Sequence, residues 1–270
     1  MTDFEMPETP GTLPGTLPGT LPGTLPGTPA DIHTETAADF RARWDAVRAR
    51  VDAAARAAGR DPAEVRLLPV SKTVPVERLR LAVEAGMTEL AENKPQEIQR
   101  KVADLPEVRW VAIGHLQTNK ARIVAEHAAE FQALDSVRLA GALQRRLGAV
   151  ADGSRTLDVL VQVNTSGEES KTGAAPEEVD AIMDAAAGCD RLRVRGFMTV
   201  AAHSRDEAEV RACFVRLREI LERARERAVV DPALLTELSM GMSGDFPLAV
   251  AEGATCVRVG TALFGARDHA

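Results

Sequence analysis

"RLLPVSKTVPVERLRLAVEAG", residues 66 to 86, carries one strand signal and one helix signal in immediate succession. Leu67, Leu68, Pro69 and Val70 form an unbroken apolar run, and Lys72 follows directly. A short continuous apolar run reads as a strand covered on both faces, as in parallel sheets flanked by helices. Pro75 then falls where helix starts favour proline, Val76, Leu79 and Val83 recur at helical spacing, and Gly86 marks the stop.

The same alternation continues along the chain. "TELAEN", "VRWVAIG", "FQALD", "LDVLVQVN", "LRVRGFMTV", "TELSMGM" and "CVRVGTALFG" read as seven further strands. Between them the spacing predicts helices over Pro95–Ala103, Asn119–His127 and Ser136–Leu147, another opened by Pro176, and a short one over Asp245–Glu252. Ser204 with Glu207 reads as a capping box for a long helix whose Val210, Phe214, Leu217 and Leu221 share a face. Upstream, Thr36 with Asp39 reads as another capping box, followed by Phe40, Trp44, Val47 and Val51 and a stop at Gly59. Eight strands alternating with helices imply right-handed crossovers and a parallel sheet. The expected fold is a single (β/α)8 barrel of the TIM type with an extra N-terminal helix. An open doubly wound sheet is the alternative. No GxGxxG follows the first strand, so a dinucleotide site lacks support.

Residues 1–33 are expected to be a disordered tail and residues 34–270 the barrel. From Gly11 to Ala30 the chain reads "GTLPGTLPGTLPGTLPGTPA", too poor in apolar bulk to offset its ordering entropy. The formal net charge is -7, no basic block appears, and no apolar run approaches the ~18 residues of a membrane helix. Neither nucleic acid nor membrane is an expected partner. The run "VRLREILERARER" interleaves Glu with Arg, the pattern of a solvated helix face. The N-terminus lacks the basic and apolar regions of a signal peptide. Cys189, Cys213 and Cys256 are widely spaced and unpatterned, which argues against a disulfide framework and a metal site and fits a cytoplasmic location.

In a barrel of this type chemistry collects at the C-terminal ends of the strands. The polar residues expected there include Ser71-Lys72, Glu92-Asn93, Gly114-His115, Asp135, Asn164, Gly241-Met242-Ser243-Gly244, and Arg258, Gly260 and Thr261; Met198 ends the sixth strand. Phosphate sites in these barrels frequently form after strands seven and eight, where "GMSGD" and "VGTA" bring hydroxyls, glycines and a helix start together. Facing them would be Lys72. Burial disfavours a lysine's charged form, and the neutral amine condenses with carbonyls. A phosphate cup facing such a lysine suggests pyridoxal 5'-phosphate. The plainer readings are that these glycines only make turns and that Lys72 pairs with Glu92 in a solvated cleft.

"LLPVSKTVP", "AENKPQE", "IGHLQTNK", "EESKTG", "RGFMTV", "LSMGMSGD" and "VRVGTALFGAR" occur in order, and this set resembles the YggS/PROSC family of pyridoxal phosphate homeostasis proteins over roughly Phe40 to Arg267. The resemblance implies one barrel like the N-terminal domain of alanine racemases, without the racemase's second domain. It implies a Schiff base at Lys72, phosphate contacts at Ser243, Gly260 and Thr261, and Arg258 near the cofactor, toward its ring nitrogen or its phosphate. It places Asn93 in the pocket and Met198 and Ser239 beside the ring. Two stretches depart from the family's usual pattern, Lys94-Pro95 and Val111-Ala112-Ile113-Gly114. Proline after Lys94 restricts that residue to extended backbone.

Two functions compete: a monomeric, non-catalytic carrier that buffers or delivers pyridoxal phosphate, with cofactor-requiring apoenzymes as recipients, and an amino-acid racemase. Two-base racemisation needs an acid/base group on each face of the substrate carbanion. The racemases that the chain resembles use a lysine and a tyrosine, and this sequence contains no tyrosine. That favours the carrier and leaves no catalytic residue to assign.

Overall fold

The computed structural model describes residues 35–150, 154–168 and 171–265. The expected N-terminal tail lies outside them. Eight parallel strands form one sheet: β1 (Arg66–Pro69), β2 (Glu89–Glu92), β3 (Arg109–Ala112), β4 (Glu130–Leu134), β5 (Leu157–Gln162), β6 (Leu192–Met198), β7 (Glu237–Met242) and β8 (Cys256–Val259). Around it run α1 (Ala37–Ala57), α2 (Val76–Glu84), α3 (Pro95–Lys101), α4 (Ala121–His127), α5 (Val137–Gly148), α6 (Val179–Ala187), α7 (Glu207–Arg227), α8 (Phe246–Ala251) and α9 (Thr261–Phe264). The strand order β1-β8-β7-β6-β5-β4-β3-β2 makes this a nearly closed (β/α)8 barrel rather than an open doubly wound sheet. β1 runs a full ladder with β8, from Arg66 opposite Cys256 to Pro69 opposite Val259. Between β1 and β2 the backbone contact shrinks to a bridge, Val70 opposite Ala91, with Ser71 N–H donating to the Ala91 carbonyl at 2.9 Å.

The expected capping box at the start of α1 is present: Thr36 N–H donates to Asp39 Oδ2 at 2.8 Å and Asp39 N–H to Thr36 Oγ1 at 3.4 Å. α1 lays Phe40, Val47, Val51 and Ala55 on the core and packs against α2, α8 and α9. Two local expectations need correction. α7 is capped by Asp206, whose carboxylate accepts from Ala208 N–H at 2.9 Å; Ser204 accepts from Asp206 N–H instead. The eighth apolar run is not one strand: β8 ends at Val259, and from Thr261 the chain turns into α9, capped by Gly260.

The two-residue period of β1 puts Arg66 and Leu68 on the inward face, Val70 continues it at the bridge, and Lys72 follows in the turn that lines the cavity above. Leu67 belongs to the large core between sheet and helices, whereas Leu68 and Val70 join Ala91, Val111 and Cys256 in a small separate cluster. Lys72 therefore stands just beyond an inward face that begins with Arg66 and is apolar after it. The N-terminal mouth is closed by charge. Arg66 grips Glu130 through both oxygens, each at 2.8 Å, and also reaches Glu89; Arg109 bonds the same two carboxylates.

Candidate functional site

A cavity of about 650 Å³ opens at the C-terminal ends of the strands. Lys72, Asn93, Met198, Ser243, Arg258, Gly260 and Thr261 all line it, contributed by β1, β2, β6, β7, β8 and the turns that follow them. Ser239 does not reach it. That side chain is buried below the cavity, where its hydroxyl accepts from Arg258 Nη1 at 2.7 Å. It supports the cavity floor and is not part of the lining, where it was expected.

Lys72 is half-buried, and its amine has no hydrogen bond or ion pair among the described residues. The alternative partner, Glu92, is committed elsewhere. Its Oε1 accepts from Ser71 Oγ at 2.8 Å and from Lys101 Nζ at 2.7 Å, all three side chains buried. Lys101 Nζ also donates to the Ser71 carbonyl at 3.3 Å. A buried clasp thus joins the end of β1 to the end of β2, where the backbone pairing is thinnest, and grips the residue before Lys72. The residue after it, Thr73, has φ +65°, a left-handed conformation strained for a β-branched side chain, with its hydroxyl donating to the Lys72 carbonyl at 2.6 Å.

Arg258 is buried and pinned at two points, through Nη1 to Ser239 and through Nη2 to the Thr199 carbonyl at 2.7 Å. Among the described residues no carboxylate lies within ion-pair distance of it. Burial pushes its guanidinium below the usual arginine range. A buried guanidinium facing a cavity without a paired charge favours an anion or a strong acceptor there. Ser243 and Gly244 follow β7, and Gly260 and Thr261 follow β8, so two hydroxyls and two side-chain-free backbones converge beside it.

On the opposite lip, Asn93 sits after β2 with its backbone against Gly114. A side chain at position 114 would place its Cβ 2.1 Å from the Asn93 carbonyl oxygen, so only glycine lets β2 and β3 approach this closely. Lys94 adopts the extended backbone (φ -111°, ψ 120°) expected before Pro95, and Pro95 opens α3. His115 lies at the rim with Nδ1 2.8 Å from Asp135 Oδ2.

Sequence reasoning missed three participants. Gln162, at the end of β5, lines the cavity, and its Nε2 donates to both the carbonyl (3.1 Å) and the hydroxyl (3.0 Å) of Thr172. A polar residue closing the apolar run "LDVLVQ" was a readable signal. Arg78 of α2 also lines the cavity, bonded to the Phe264 carbonyl at 2.8 Å. Lys101 gave no signal, because it follows Gln99 and Arg100 and reads as solvated helix surface.

The parallel eight-stranded barrel shares its fold with the barrel of alanine racemases. Residues 43–268 match the family of the alanine racemase N-terminal domain. The chain is 45% identical over 227 residues to a pyridoxal phosphate homeostasis protein of Pseudomonas aeruginosa, covering 83% of this chain and 94% of that one. It is 40% identical over 234 residues to the protein of that name from Escherichia coli, with the same shares covered. Among solved structures, PipY of Synechococcus elongatus with pyridoxal phosphate bound aligns at a TM-score of 0.71 and 34% identity, over 84% of this chain and all of that one. Alanine racemase of Corynebacterium glutamicum, at 18% identity and a TM-score of 0.58, covers 84% of this chain and 62% of its own, and shares the fold. The chain belongs to the family of pyridoxal phosphate homeostasis proteins.

Proposed function

We propose that this chain binds pyridoxal 5'-phosphate in the cavity, holds it as a Schiff base through Lys72, and delivers or buffers it in the cytoplasm for apoenzymes that require it. The observation that carries this reading is one cavity joining an unpaired lysine amine to a buried guanidinium with no paired carboxylate among the described residues. The names of the relatives and the bound cofactor of PipY agree with it. When bound, the cofactor supplies an aldehyde that condenses with a primary amine, with loss of water, and a phosphate.

Each residue has a part in this reading. Lys72 Nζ is the amine, carried just past the end of β1 where it lines the cavity without a partner among the described residues. Ser243 and Thr261, with the backbones at Gly244 and Gly260, take the phosphate. Arg258 offers donors from the floor, Met198 packs against the ring and Asn93 lines the lip. Asn93 and His115 are exposed at the mouth, so the cavity communicates with water, as loading and release require. The groups come from one chain, so a monomer suffices.

The test is direct. Purified protein with pyridoxal phosphate should turn yellow, and borohydride should fix the cofactor to the peptide carrying Lys72. Lys72→Ala should stay colourless yet keep its fold. Wild-type protein that remains colourless at millimolar cofactor, or an adduct trapped on another lysine, refutes the reading.

A further inference from the structure

The buried side chains beneath the cavity form a directed string. Arginine has no acceptor, so Ser239 Oγ must accept from Arg258 Nη1 at 2.7 Å. Its own proton then goes to Gln132 Oε1, 2.7 Å away. Gln132 Nε2 donates in turn to Glu130 Oε1 at 2.6 Å, and Glu130 is gripped from below by Arg66 and Arg109. The string crosses the barrel, because Glu130 and Gln132 stand on β4 while Ser239 and Arg258 stand on β7 and β8, which are not neighbours of β4 in the sheet.

The direction is fixed by charge. Burial alone would raise the Glu130 carboxyl, but hydrogen bonds from Arg66 and Gln132 and the charges of Arg66 and Arg109 hold it at about 2, so it is a carboxylate at neutral pH. A flipped Gln132 amide would turn its oxygen on that carboxylate, acceptor against acceptor. The amide oxygen therefore faces Ser239, and Ser239 can only accept from Arg258. The other groups whose charges act on Arg258 are Asp245, at the start of α8, and Cys256, on β8. Burial raises the Cys256 thiol, so it carries no charge at neutral pH.

We infer that Glu130 and Gln132, which do not touch the cavity, are positioning residues for Arg258: through Ser239 they hold its guanidinium with its remaining donors toward the ligand. The inference rests on the proposed cofactor site for what the donors meet, but the orientation of Arg258 can be measured without any ligand.

The first measurement uses 15N-labelled protein without cofactor. Held at two points, the Arg258 guanidinium rotates slowly and should give resolved Nη–H signals. These should collapse in Gln132→Met, which keeps the side-chain length and removes the links to Ser239 and Glu130, together with a long contact to the Cys256 thiol. The second measurement is affinity for pyridoxal phosphate, which should fall about tenfold in Gln132→Met, the effect of one hydrogen bond. Borohydride trapping on Lys72 should persist. Ser239→Ala should lose about as much, and the double variant no more than either single, because both break one string. Additive losses would mean two unrelated packing defects and overturn the inference. So would unchanged Nη–H signals with an affinity within about twofold of wild type. Wild-type protein that binds no cofactor would refute the proposed function and leave the signals to decide this point.

Discussion

Replacing Lys101 with methionine tests the clasp between β1 and β2. The substitution keeps the chain length and removes the ammonium that lies 2.7 Å from Glu92 Oε1. Glu92 is fully buried, its Oε2 has no partner among the described residues, and its remaining donor is the Ser71 hydroxyl. Removing one partner of a buried pair strands the other's charge, at a cost of about 3–5 kcal/mol. For a barrel of this size that corresponds to a melting point lower by roughly 10 °C. Urea unfolding gives the free energy, and the double variant Lys101→Met/Glu92→Gln should recover most of it, because the stranded charge is gone. Hydrogen exchange locates the damage. The Ser71 amide, donor to the Ala91 carbonyl, should exchange faster in Lys101→Met, while amides in the β5–β6 ladder keep their rank. A loss below about 1 kcal/mol, or a double variant as unstable as the single, would refute the description of a buried, charged clasp.

Ser243→Ala and Arg258→Gln should each weaken cofactor binding by about ten- to a hundredfold in equilibrium titrations, while a Lys72 adduct still forms at high cofactor concentration. Glu130 sets an acid limit on stability. Its carboxyl falls from 4.5 to about 2 in the fold, so its contribution, roughly 3 kcal/mol, is complete above the unfolded value and is lost as pH drops from there toward 2. Glu237, raised mainly by burial, acts in the opposite sense, so urea titrations from pH 6 to 2.5 should show a loss somewhat below that figure, and one that shrinks in Glu130→Gln. L-Alanine incubated in deuterium oxide with cofactor-loaded protein should show no inversion by optical rotation. The chain lacks tyrosine, and the imidazole of His115 is held by Asp135. Inversion at several turnovers per second, abolished in Lys72→Ala, would make the protein a racemase.

The barrel was legible because its signals are local. Continuous apolar runs ending in a polar residue and followed by a capped or proline-led helix need no knowledge of distant partners, and the eight runs fall where the eight strands lie. The eighth misled at its end, because "TALF" is as apolar as the strand before it and period alone cannot tell a short buried helix from a strand. Lys72, Asn93, Met198, Ser243, Arg258, Gly260 and Thr261 were read at the strand ends and line the cavity, whereas Arg78 of α2 was not foreseen and Asp135 and Asn164, expected beside them, lie outside its lining. What stayed hidden was pairing across the barrel. Ser239 sits on an inward position one residue pair too deep to meet a ligand, and nothing in "LSMGM" records that depth. Gln132 pairs with Ser239 and Glu130 with Arg66, partners that only the closed sheet brings together, while Lys101 folds back from α3 onto Glu92 of the strand before it.

The ladder between β1 and β8 also bears on when the site comes into being. β1 is among the first elements of the described chain and β8 among the last, so the backbone bonds that hold the lysine-bearing strand wait on nearly all the sequence between them. Its neighbour in sequence, β2, offers little more than a bridge and a side-chain clasp. Pairings this distant are slow to form, because loop closure precedes any gain in contact. A growing or truncated chain that stops short of Cys256 would thus carry Lys72 on a strand held by β2 alone, without Arg258, Gly260 and Thr261 of the cavity. Cofactor binding then becomes a report that folding is finished, and a refolding assay read through cofactor colour should follow the slowest phase.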